Sequence, residues 1–194
     1  VEAARFAEPV AMTVIAPIAD LRPTPDEDAR LDTQLLHGEG VAAYEIGAHW
    51  AWVQAATDGY VGYVPCAALG PATAPPTHRV SAAAAHVYPV ADIKAPPVAR
   101  LPGAARLAVT DTVAAKGSSN AMAMLAGGGF VPRGQIMPLE TLAPDWVAEA
   151  EAMLGAPYLW GGRSRDGLDC SALLQLALAA AGHAFPRDSD MQLA

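Results

Sequence analysis

The stretch from Gly155 to Gln175 constrains the fold of this chain more than any other segment of the sequence. Gly155 suits the end of a helix, where a residue with positive φ is often needed, and Pro157 prevents the helix from continuing. The aromatic residues that follow favour an extended strand over residues 157–160. A flexible connection is then predicted by three glycines, Gly161, Gly162 and Gly167.

A new helix is predicted to begin directly after this connection. Asp169 is a typical N-cap residue, and the apolar run Ala172–Ala181 propagates the helix until Gly182 ends it. Cys170 therefore lies among unpaired backbone N–H groups, at the positive end of the helix dipole. These surroundings favour the thiolate and can bind a developing oxyanion, so the position suits a nucleophile. The alternative is a buried cysteine that merely starts a core helix, the commoner role of a lone cysteine.

Several motifs around Cys170 resemble the N-terminal half of the NlpC/P60 domain, whose family consists of bacterial cell-wall peptide hydrolases. The motifs follow the family's order along the chain: Pro157–Gly162, Asp169–Ser171, Gly182, Pro186–Ser189 and Gln192. Ala172 is one departure, because the family usually has glycine after the Asp-Cys-Ser run, and this change mildly alters the space beside the thiol. The resemblance favours the nucleophile over the buried core cysteine.

The resemblance also implies roles for the residues around the cysteine. Cys170 would be the nucleophile of a cysteine peptidase. Asp169 and Ser171 would bind the free amino group of the substrate's terminal L-Ala, and Tyr158 would line the same pocket. We expect neither a metal nor a cofactor.

Composition and charge exclude several other classes of protein. Hydrophobic residues make up 53% of the 194 residues and charged residues 16%, which is typical of a globular chain rather than a disordered one. A formal net charge of −8 disfavours nucleic acid and anionic membranes as partners. No apolar run approaches the ~20 residues of a membrane span. Cys66 and Cys170 are too few and too far apart for a disulfide framework.

The first part of the chain has the pattern of a small β-barrel. Residues 1–12 show no clear pattern and are interpreted as an arm. Strands are predicted over Thr13–Ile18, Val41–Ile46, Trp50–Gln54 and Tyr60–Pro65, with a hairpin turn at Asp58 and Gly59. Within this region we expect core positions at Trp52, Val53, Val61 and Val64.

An internal repeat indicates that this unit is duplicated. Pro17–Arg22 is similar to Pro89–Lys94, and Gly62–Pro65 is similar to Gly129–Pro132. Both copies resemble the bacterial SH3-like domain, the first more clearly than the second. In cell-wall enzymes such domains bind wall peptides or shape the mouth of the catalytic domain, although rigid spacers are an alternative. The Pro-rich stretch Pro71–Pro76 is interpreted as the linker between the copies.

The expected fold class is therefore a multidomain β plus α/β protein. Two SH3-like β-barrels, in residues 1–72 and 73–142, precede the N-terminal helical part of a papain-like α+β NlpC/P60 domain in residues 143–194, which is apparently truncated. A helix is predicted over Pro144–Leu154, with Pro144 in its first turn. A further helix is predicted to begin at Arg187 and to be cut off at Ala194.

A cysteine hydrolase also needs a base, and none of the five histidines suits that role. His183 follows the far end of the cysteine helix, roughly 18–20 Å from Cys170. The others lie in the SH3-like region: His37, His49, His78 and His86. In the family the histidine comes later, so we expect the natural chain to continue beyond Ala194. The chain also begins without a Met, so a leading segment could have been removed.

Tandem SH3-like domains ahead of an NlpC/P60 domain resemble the γ-D-glutamyl-L-diamino acid endopeptidases. The resemblance implies a murein peptide as substrate, cleaved at the γ-D-Glu–L-diamino acid bond. The alternative is a binding module for wall peptides or proteins, without catalysis. The sequence leaves open the oligomeric state, and also whether such a bacterial protein works in the cytoplasm or is exported to the cell wall.

Overall fold

The computed structural model describes residues 8–72, 74–117 and 119–193, and it is mostly sheet with few helices. A first unit contains seven strands: β1 (Val10–Val14), β2 (Ile18–Leu21), β3 (Thr33–Leu36), β4 (Gly40–Ile46), β5 (Trp50–Ala55), β6 (Val61–Pro65) and β7 (Leu69–Pro71). Five of them form an antiparallel sheet in the order β6-β5-β4-β1-β7, and β2 pairs with β3 in a separate hairpin. A bridge between Arg22 and Tyr63 joins the hairpin to the sheet.

The core of the first unit follows from the alternation of its strands. Val53 and Val64 are fully buried, as predicted, and Trp52 is half-buried with its ring 4.9 Å from that of Tyr63. The prediction for Val61 is wrong, since 43% of this residue is exposed. The pleat of β6 turns the second and fourth residues inward, so Val61 faces solvent.

The first unit differs from the prediction where its first strand begins and agrees with it at the hairpin turn. Strand β1 begins at Val10, inside the predicted arm, because Val10–Thr13 pair with β4. Residues 1–7 of that arm lie outside the described residues. The hairpin turn is confirmed, with Gly59 at φ 77°, a conformation that glycine adopts readily.

A second unit contains eight strands: β8 (His78–Val80), β9 (Ala84–Val87), β10 (Ala99–Pro102), β11 (Arg106–Leu107), β12 (Val109–Ala114), β13 (Ala121–Leu125), β14 (Phe130–Pro132) and β15 (Ile136–Pro138). They form two three-stranded sheets, β12-β13-β14 and β11-β8-β15, and the hairpin β9–β10. Apolar side chains from all three surround a separate core. Among the described residues, the strands of neither unit close into a complete barrel.

The two units share a local architecture, but the predicted register of the repeat is partly wrong. Tyr88 bridges to Phe130 in the second unit just as Arg22 bridges to Tyr63 in the first. Residue 88 therefore corresponds to residue 22, an offset of 66. In the turns that follow, the side chains of Asp26 and Asp92 each accept a hydrogen bond from the N–H two residues later. The similarity of Pro17–Arg22 to Pro89–Lys94 is therefore misleading, since residues 18–21 form β2 whereas residues 89–94 form the turn after β9. The predicted linker after Pro71 includes Thr73, which lies outside the described residues.

A third segment contains the predicted cysteine helix. Its elements are α1 (Trp146–Glu151), β16 (Arg163–Ser164), β17 (Gly167–Leu168), α2 (Cys170–Ala180) and α3 (Ser189–Gln192). Helix α2 is confirmed, and Gly182 follows it at φ 87°. Helix α1 begins later than predicted because Asp145 caps it, accepting a hydrogen bond from the Val147 N–H, and it ends at Glu151 instead of Leu154. None of the helices in the described residues combines the length and apolar character needed to span a membrane.

Two other predictions for this segment are wrong. Residues 157–160 do not form a strand, since their one β-bridge joins Tyr158 to Leu168. The predicted flexible connection is instead the tight hairpin β16–β17, whose four paired residues are buried. Its glycines serve close packing, because a Cβ at Gly162 would lie 2.4 Å from the Gly167 carbonyl oxygen. Arg187 precedes the third helix, which begins at Ser189.

The hairpin β16–β17 joins the third segment to the first unit through a buried ion pair. Arg163 Nη1 and Nη2 lie 2.9 and 3.1 Å from the two carboxylate oxygens of Glu39. Arg163 Nη1 also donates to the backbone oxygen of Gln34 at 2.7 Å. Burial alone would raise the pKa of Glu39, but the guanidinium outweighs burial and the pKa is lowered. Leu36 of the first unit packs beside this pair against Leu168 and Ala172.

Replacing Arg163 with methionine should destabilise the chain by about 3–5 kcal/mol, because the Glu39 carboxylate is then buried without its partner. Urea unfolding followed by tryptophan fluorescence measures this loss. The double variant Arg163→Met/Glu39→Gln should recover part of the stability, since the unpaired charge is removed.

Arg100→Met is the matched control for this prediction. Arg100 pairs with Asp166 at 2.5 Å, but the two side chains are 46% and 52% exposed. Its loss should therefore cost less than about 1 kcal/mol. An Arg163→Met variant as stable as Arg100→Met would contradict the structural role of the buried pair.

Candidate active site

Cys170 is the first residue of α2, and its side chain is exposed. Asp169 caps the helix as predicted, with its Oδ1 accepting a hydrogen bond from the Ala172 N–H at 2.8 Å. Asp169 Oδ2 accepts a second hydrogen bond from the Gly161 N–H at 3.0 Å. The cap therefore fixes both the start of the helix and the glycine turn that precedes the hairpin, while the Cys170 thiol is open to solvent.

Arg187 completes the cap from the segment before α3. It is 1% exposed, and its Nη1 and Nη2 lie 3.1 and 2.7 Å from the two carboxylate oxygens of Asp169. Its Nη1 also donates to Ser171 Oγ at 2.8 Å, and its Nε donates to Thr33 Oγ1 of β3 at 2.7 Å. One guanidinium thus connects both neighbours of Cys170 to the first unit.

The network around Asp169 keeps its carboxylate ionised. Burial acts to raise the pKa of Asp169, but the hydrogen bonds from Arg187, Ala172 and Gly161 act in the opposite direction and lower it overall. Oδ1 accepts three hydrogen bonds, including one from Ser171 Oγ at 3.2 Å, and Oδ2 accepts two. The side chain is consequently a fixed anion beside the thiol, neutralised by a fixed cation.

A pocket of about 260 Å³ opens beside Cys170. Tyr158, of which 67% is exposed, lies at its edge, and Asp169 also contributes to its lining. The remaining wall is mostly apolar and comes from the end of α1, the turn after it, β17 and α2: Ala150, Met153, Leu154, Gly155, Ala156, Leu168 and Leu173. A pocket of this size and lining suits a short peptide whose carbonyl group contacts the thiol.

The first unit also packs against the turn that precedes the hairpin β16–β17. Gly161 has φ 76° and lies so close to the β2–β3 loop that a Cβ there would be 2.7 Å from Leu31 Cγ and 3.1 Å from the Asp32 carbonyl oxygen. Any other residue at this position would be strained and would also push the loop away. The contact therefore sets the distance between the first unit and the turn that contains Trp160.

Tyr60 belongs to the same region. Burial and the neighbouring carboxylates of Asp188 and Asp32 raise the pKa of Tyr60 to about 12, and its side chain hydrogen-bonds to Asp188. The sequence assigns Tyr60 only to a strand, and it gives Arg187 only as part of a motif and as the start of a helix. A buried arginine or a buried phenol has no local sequence signature, so neither role could be read from the pattern.

Four residues singled out from the sequence are thus near neighbours in space: Tyr158, Asp169, Cys170 and Ser171. No histidine is among the described residues that line the pocket at Cys170. His37 contacts the Ile15 carbonyl oxygen through Nδ1 at 3.0 Å, and burial lowers its pKa. His183 lies beyond the C-terminal end of α2, and its N–H donates to the Leu178 carbonyl oxygen.

A second and larger depression, of about 600 Å³, lies on the first unit. It is lined by the acidic turn 25–28 together with His49, Trp50, Pro65 and Ala67. It contains no cysteine, and no group of three or more potential metal ligands occurs among the residues that the structure describes. The candidate nucleophile Cys170 lies at the smaller pocket together with Tyr158 and Asp169, and this pocket is therefore the candidate active site.

Comparison with known families supports the resemblance that the sequence motifs indicate. The NlpC/P60 family model matches residues 155–194, and the model of the bacterial dipeptidyl-peptidase SH3 domain matches residues 21–69. The chain is 36% identical to the gamma-D-glutamyl-L-lysine dipeptidyl-peptidase of Bacillus subtilis (strain 168) over 69 residues, which make up 34% of this chain and 23% of that protein. It is 38% identical to a probable endopeptidase of Mycobacterium bovis over 72 residues, 33% of this chain and 19% of that protein. The matches thus span less than a quarter of these curated relatives.

Solved structures show the same fold. A crystal structure of an NlpC/P60 family protein from Bacillus cereus ATCC 10987 matches with a TM-score of 0.75 at 20% identity, covering 94% of this chain and 76% of that one. An NlpC/P60 endopeptidase from Photobacterium damselae subsp. piscicida matches with a TM-score of 0.63 at 14% identity, covering 94% of this chain and 45% of that one. Residues 155–194 thus match the NlpC/P60 family and residues 21–69 match a bacterial SH3 domain, so the resemblance predicted from the sequence motifs is confirmed.

Proposed function

We propose that this chain is part of a cysteine peptidase that hydrolyses peptidoglycan stem peptides at the γ-D-Glu–L-diamino acid bond. The observation that carries the proposal is the exposed Cys170 at the start of α2, facing a pocket lined by Tyr158 and Asp169. The similarity to a protein named gamma-D-glutamyl-L-lysine dipeptidyl-peptidase supports the choice of bond.

In the proposed reaction, Cys170 Sγ attacks the carbonyl carbon of the D-glutamyl γ-carboxamide. The oxyanion that forms is stabilised by backbone N–H groups in the first turn of α2, those of Cys170 and Ser171, which a helix leaves without an intrahelical acceptor. A general base takes the thiol proton and returns it to the leaving amine of the diamino acid, which leaves a thioester on Cys170. Water then hydrolyses the thioester and restores the thiol. The described lining of the pocket includes no histidine, so the base has to come from elsewhere in the natural protein.

The substrate's terminal L-Ala is proposed to bind at the opposite end of the pocket, with its free ammonium near Asp169, Ser171 and Tyr158. Oδ2 of Asp169 accepts two hydrogen bonds where Oδ1 accepts three, so Oδ2 is the oxygen with room for an ammonium. Ser171 Oγ is held by Arg187 and directed at the same carboxylate. The exposed Tyr158 would lie along the alanine side chain.

The two units that precede α1 are proposed to be SH3-like domains, in residues 1–72 and 73–142, ahead of the NlpC/P60 part in residues 143–194. Their common bridges and turns support the duplication. The first unit is proposed to shape the mouth of the site, because Leu31 lies against Gly161 and Thr33 binds Arg187, and both of these residues hydrogen-bond to Asp169.

The second candidate function is a wall-peptide binding module without catalysis. It is favoured by the lack of a histidine among the described residues that line the pocket. Such a module would bind the same murein peptide and release it unchanged. The two functions are separated by turnover in the natural full-length protein.

Replacing Cys170 with alanine in the natural full-length protein should abolish hydrolysis of L-Ala-γ-D-Glu-diamino acid peptides, with a loss of at least about a thousandfold, because the nucleophile is removed. Chromatographic detection of the released diamino acid measures the rate. The fold should persist, since the cysteine is exposed and the loss of volume is small.

Cys66→Ala is the matched control, and its turnover should equal that of the wild type. Cys66 is half-buried, with its Sγ 3.5 Å from the Gly47 carbonyl oxygen. Turnover by Cys170→Ala within tenfold of the wild type would rule out Cys170 as nucleophile. Binding of the peptide by wild-type protein that never cleaves it would favour the binding module.

Acetylation of the substrate's terminal amine should reduce kcat/KM by at least tenfold, which corresponds to ~1.4 kcal/mol. The acetylated peptide cannot place an ammonium beside the buried carboxylate of Asp169. Parallel assays of the free and acetylated peptides with the full-length protein measure the ratio. If kcat/KM for the free peptide exceeds that for the acetylated peptide by less than about tenfold, Asp169 has only its cap and ion-pair roles. The protein would then be an endopeptidase that acts on intact cell wall.

A further inference from the structure

Arg187 is the most deeply buried cation near the thiol, yet it has no part in the proposed reaction. It is 1% exposed and donates four hydrogen bonds, two to Asp169 and one each to Ser171 and Thr33. We infer that Arg187 is a positioning residue, which acts through Asp169 and Ser171 to fix the first turn of α2 and to keep the Cys170 thiol reactive. The inference deepens the proposed function and rests on Cys170 being its nucleophile.

The geometry of the guanidinium supports this role. Its Nη1 and Nη2 bind the two oxygens of Asp169 side by side, and Nη1 also reaches Ser171 Oγ. The residues before and after Cys170 are thus held by one rigid planar group. A lysine has a single ammonium and cannot make this forked contact, so charge alone would not reproduce it.

The anchor on the other side of Arg187 lies far away in the sequence. Its Nε donates to Thr33 Oγ1, 154 residues earlier and inside the first unit, and Thr33 is itself 1% exposed. The guanidinium is consequently held between a strand of the first unit and the cap of α2. Any shift of β3 relative to α2 would be transmitted to the cap through this contact.

The charge balance at the cap supports a link to thiol reactivity. The Asp169 carboxylate directly precedes Cys170, and Arg187 is the cation that forms an ion pair with it. Without the guanidinium, an uncompensated anion would remain beside the thiol and repel the negative charge that the sulfur carries when it reacts. Because the thiolate is the nucleophile, the reactivity of Cys170 should fall even where the fold is intact.

The test is the rate of iodoacetamide alkylation of Cys170 at pH 7 in the natural full-length protein, with Cys66 followed in the same molecules by mass spectrometry. Arg187→Met should slow alkylation of Cys170 by about three- to tenfold, the order expected for one unscreened neighbouring charge. The rate at Cys66 should stay unchanged. Arg187→Lys should recover part of the Cys170 rate, because it restores the charge without the forked contact.

Arg100→Met is the matched control, since Arg100 also pairs with an aspartate across two segments but contacts neither Asp169 nor Ser171. It should leave both alkylation rates at their wild-type values. An Arg187→Met variant that alkylates Cys170 at the wild-type rate, with Cys66 also unchanged, would overturn the inference. Faster alkylation of both cysteines would instead show general unfolding of that variant.

If Arg187→Met unfolds the protein, the Thr33→Val variant provides the test. This substitution removes one hydrogen bond between Arg187 and a neutral partner and preserves the shape of the side chain at position 33. It should slow alkylation of Cys170 by a smaller factor with Cys66 unchanged, and an unchanged Cys170 rate would overturn the inference. Alkylation does not require peptide cleavage. A protein that fails to hydrolyse murein peptides but shows the Arg187 effect would therefore contradict the proposed function and leave the positioning role intact.

Discussion

The burial of two arginine–carboxylate pairs at one junction determines where the thiol lies. Arg163 binds Glu39 and Arg187 binds Asp169, and both guanidinium groups also reach residues of β3. An isolated helix of eleven residues such as α2 is marginal in water, so its position depends on tertiary contacts. Buried ion pairs add little net stability compared with apolar packing, but breaking one is costly. The two buried ion pairs therefore select one geometry in which the third segment docks on the first unit.

This arrangement makes the candidate site a shared product of two segments. Tyr158, Asp169 and Cys170 come from the third segment, whereas Leu31 and Thr33 come from the first unit and contact the turns beside them. A change in the β2–β3 loop would therefore disturb the turn at Gly161, whose N–H donates to the Asp169 cap. The solved NlpC/P60 structure from Bacillus cereus, which covers 94% of this chain, has the same overall fold.

The parts of the structure that sequence reasoning predicted are those encoded locally. The cap at Asp169, the extent of α2 and the turn at Gly59 each follow from a few adjacent residues. The hairpin β16–β17 was predicted to be a flexible connection because its glycines are also typical of loops. In the structure those glycines allow close backbone contact, and only the packed neighbours reveal this.

The errors and omissions involve contacts between distant residues. The repeat was aligned on a Pro-x-Ala-Asp similarity, whereas the bridges Arg22–Tyr63 and Tyr88–Phe130 establish the true register. Thr33, which anchors Arg187, and Glu39, which pairs with Arg163, lie 154 and 124 residues away from them in sequence. The candidate nucleophile could thus be found from a motif, but the groups that hold it in place could not.

The central claim is that Cys170 forms a covalent bond to the substrate, and trapping that bond tests it most directly. The full-length protein would be mixed with L-Ala-γ-D-Glu-diamino acid peptide, quenched in acid and mapped by mass spectrometry. The account predicts an L-Ala-D-glutamyl thioester on Cys170 while the diamino acid is released. Turnover without any adduct on Cys170, or with the adduct on another residue, would contradict it.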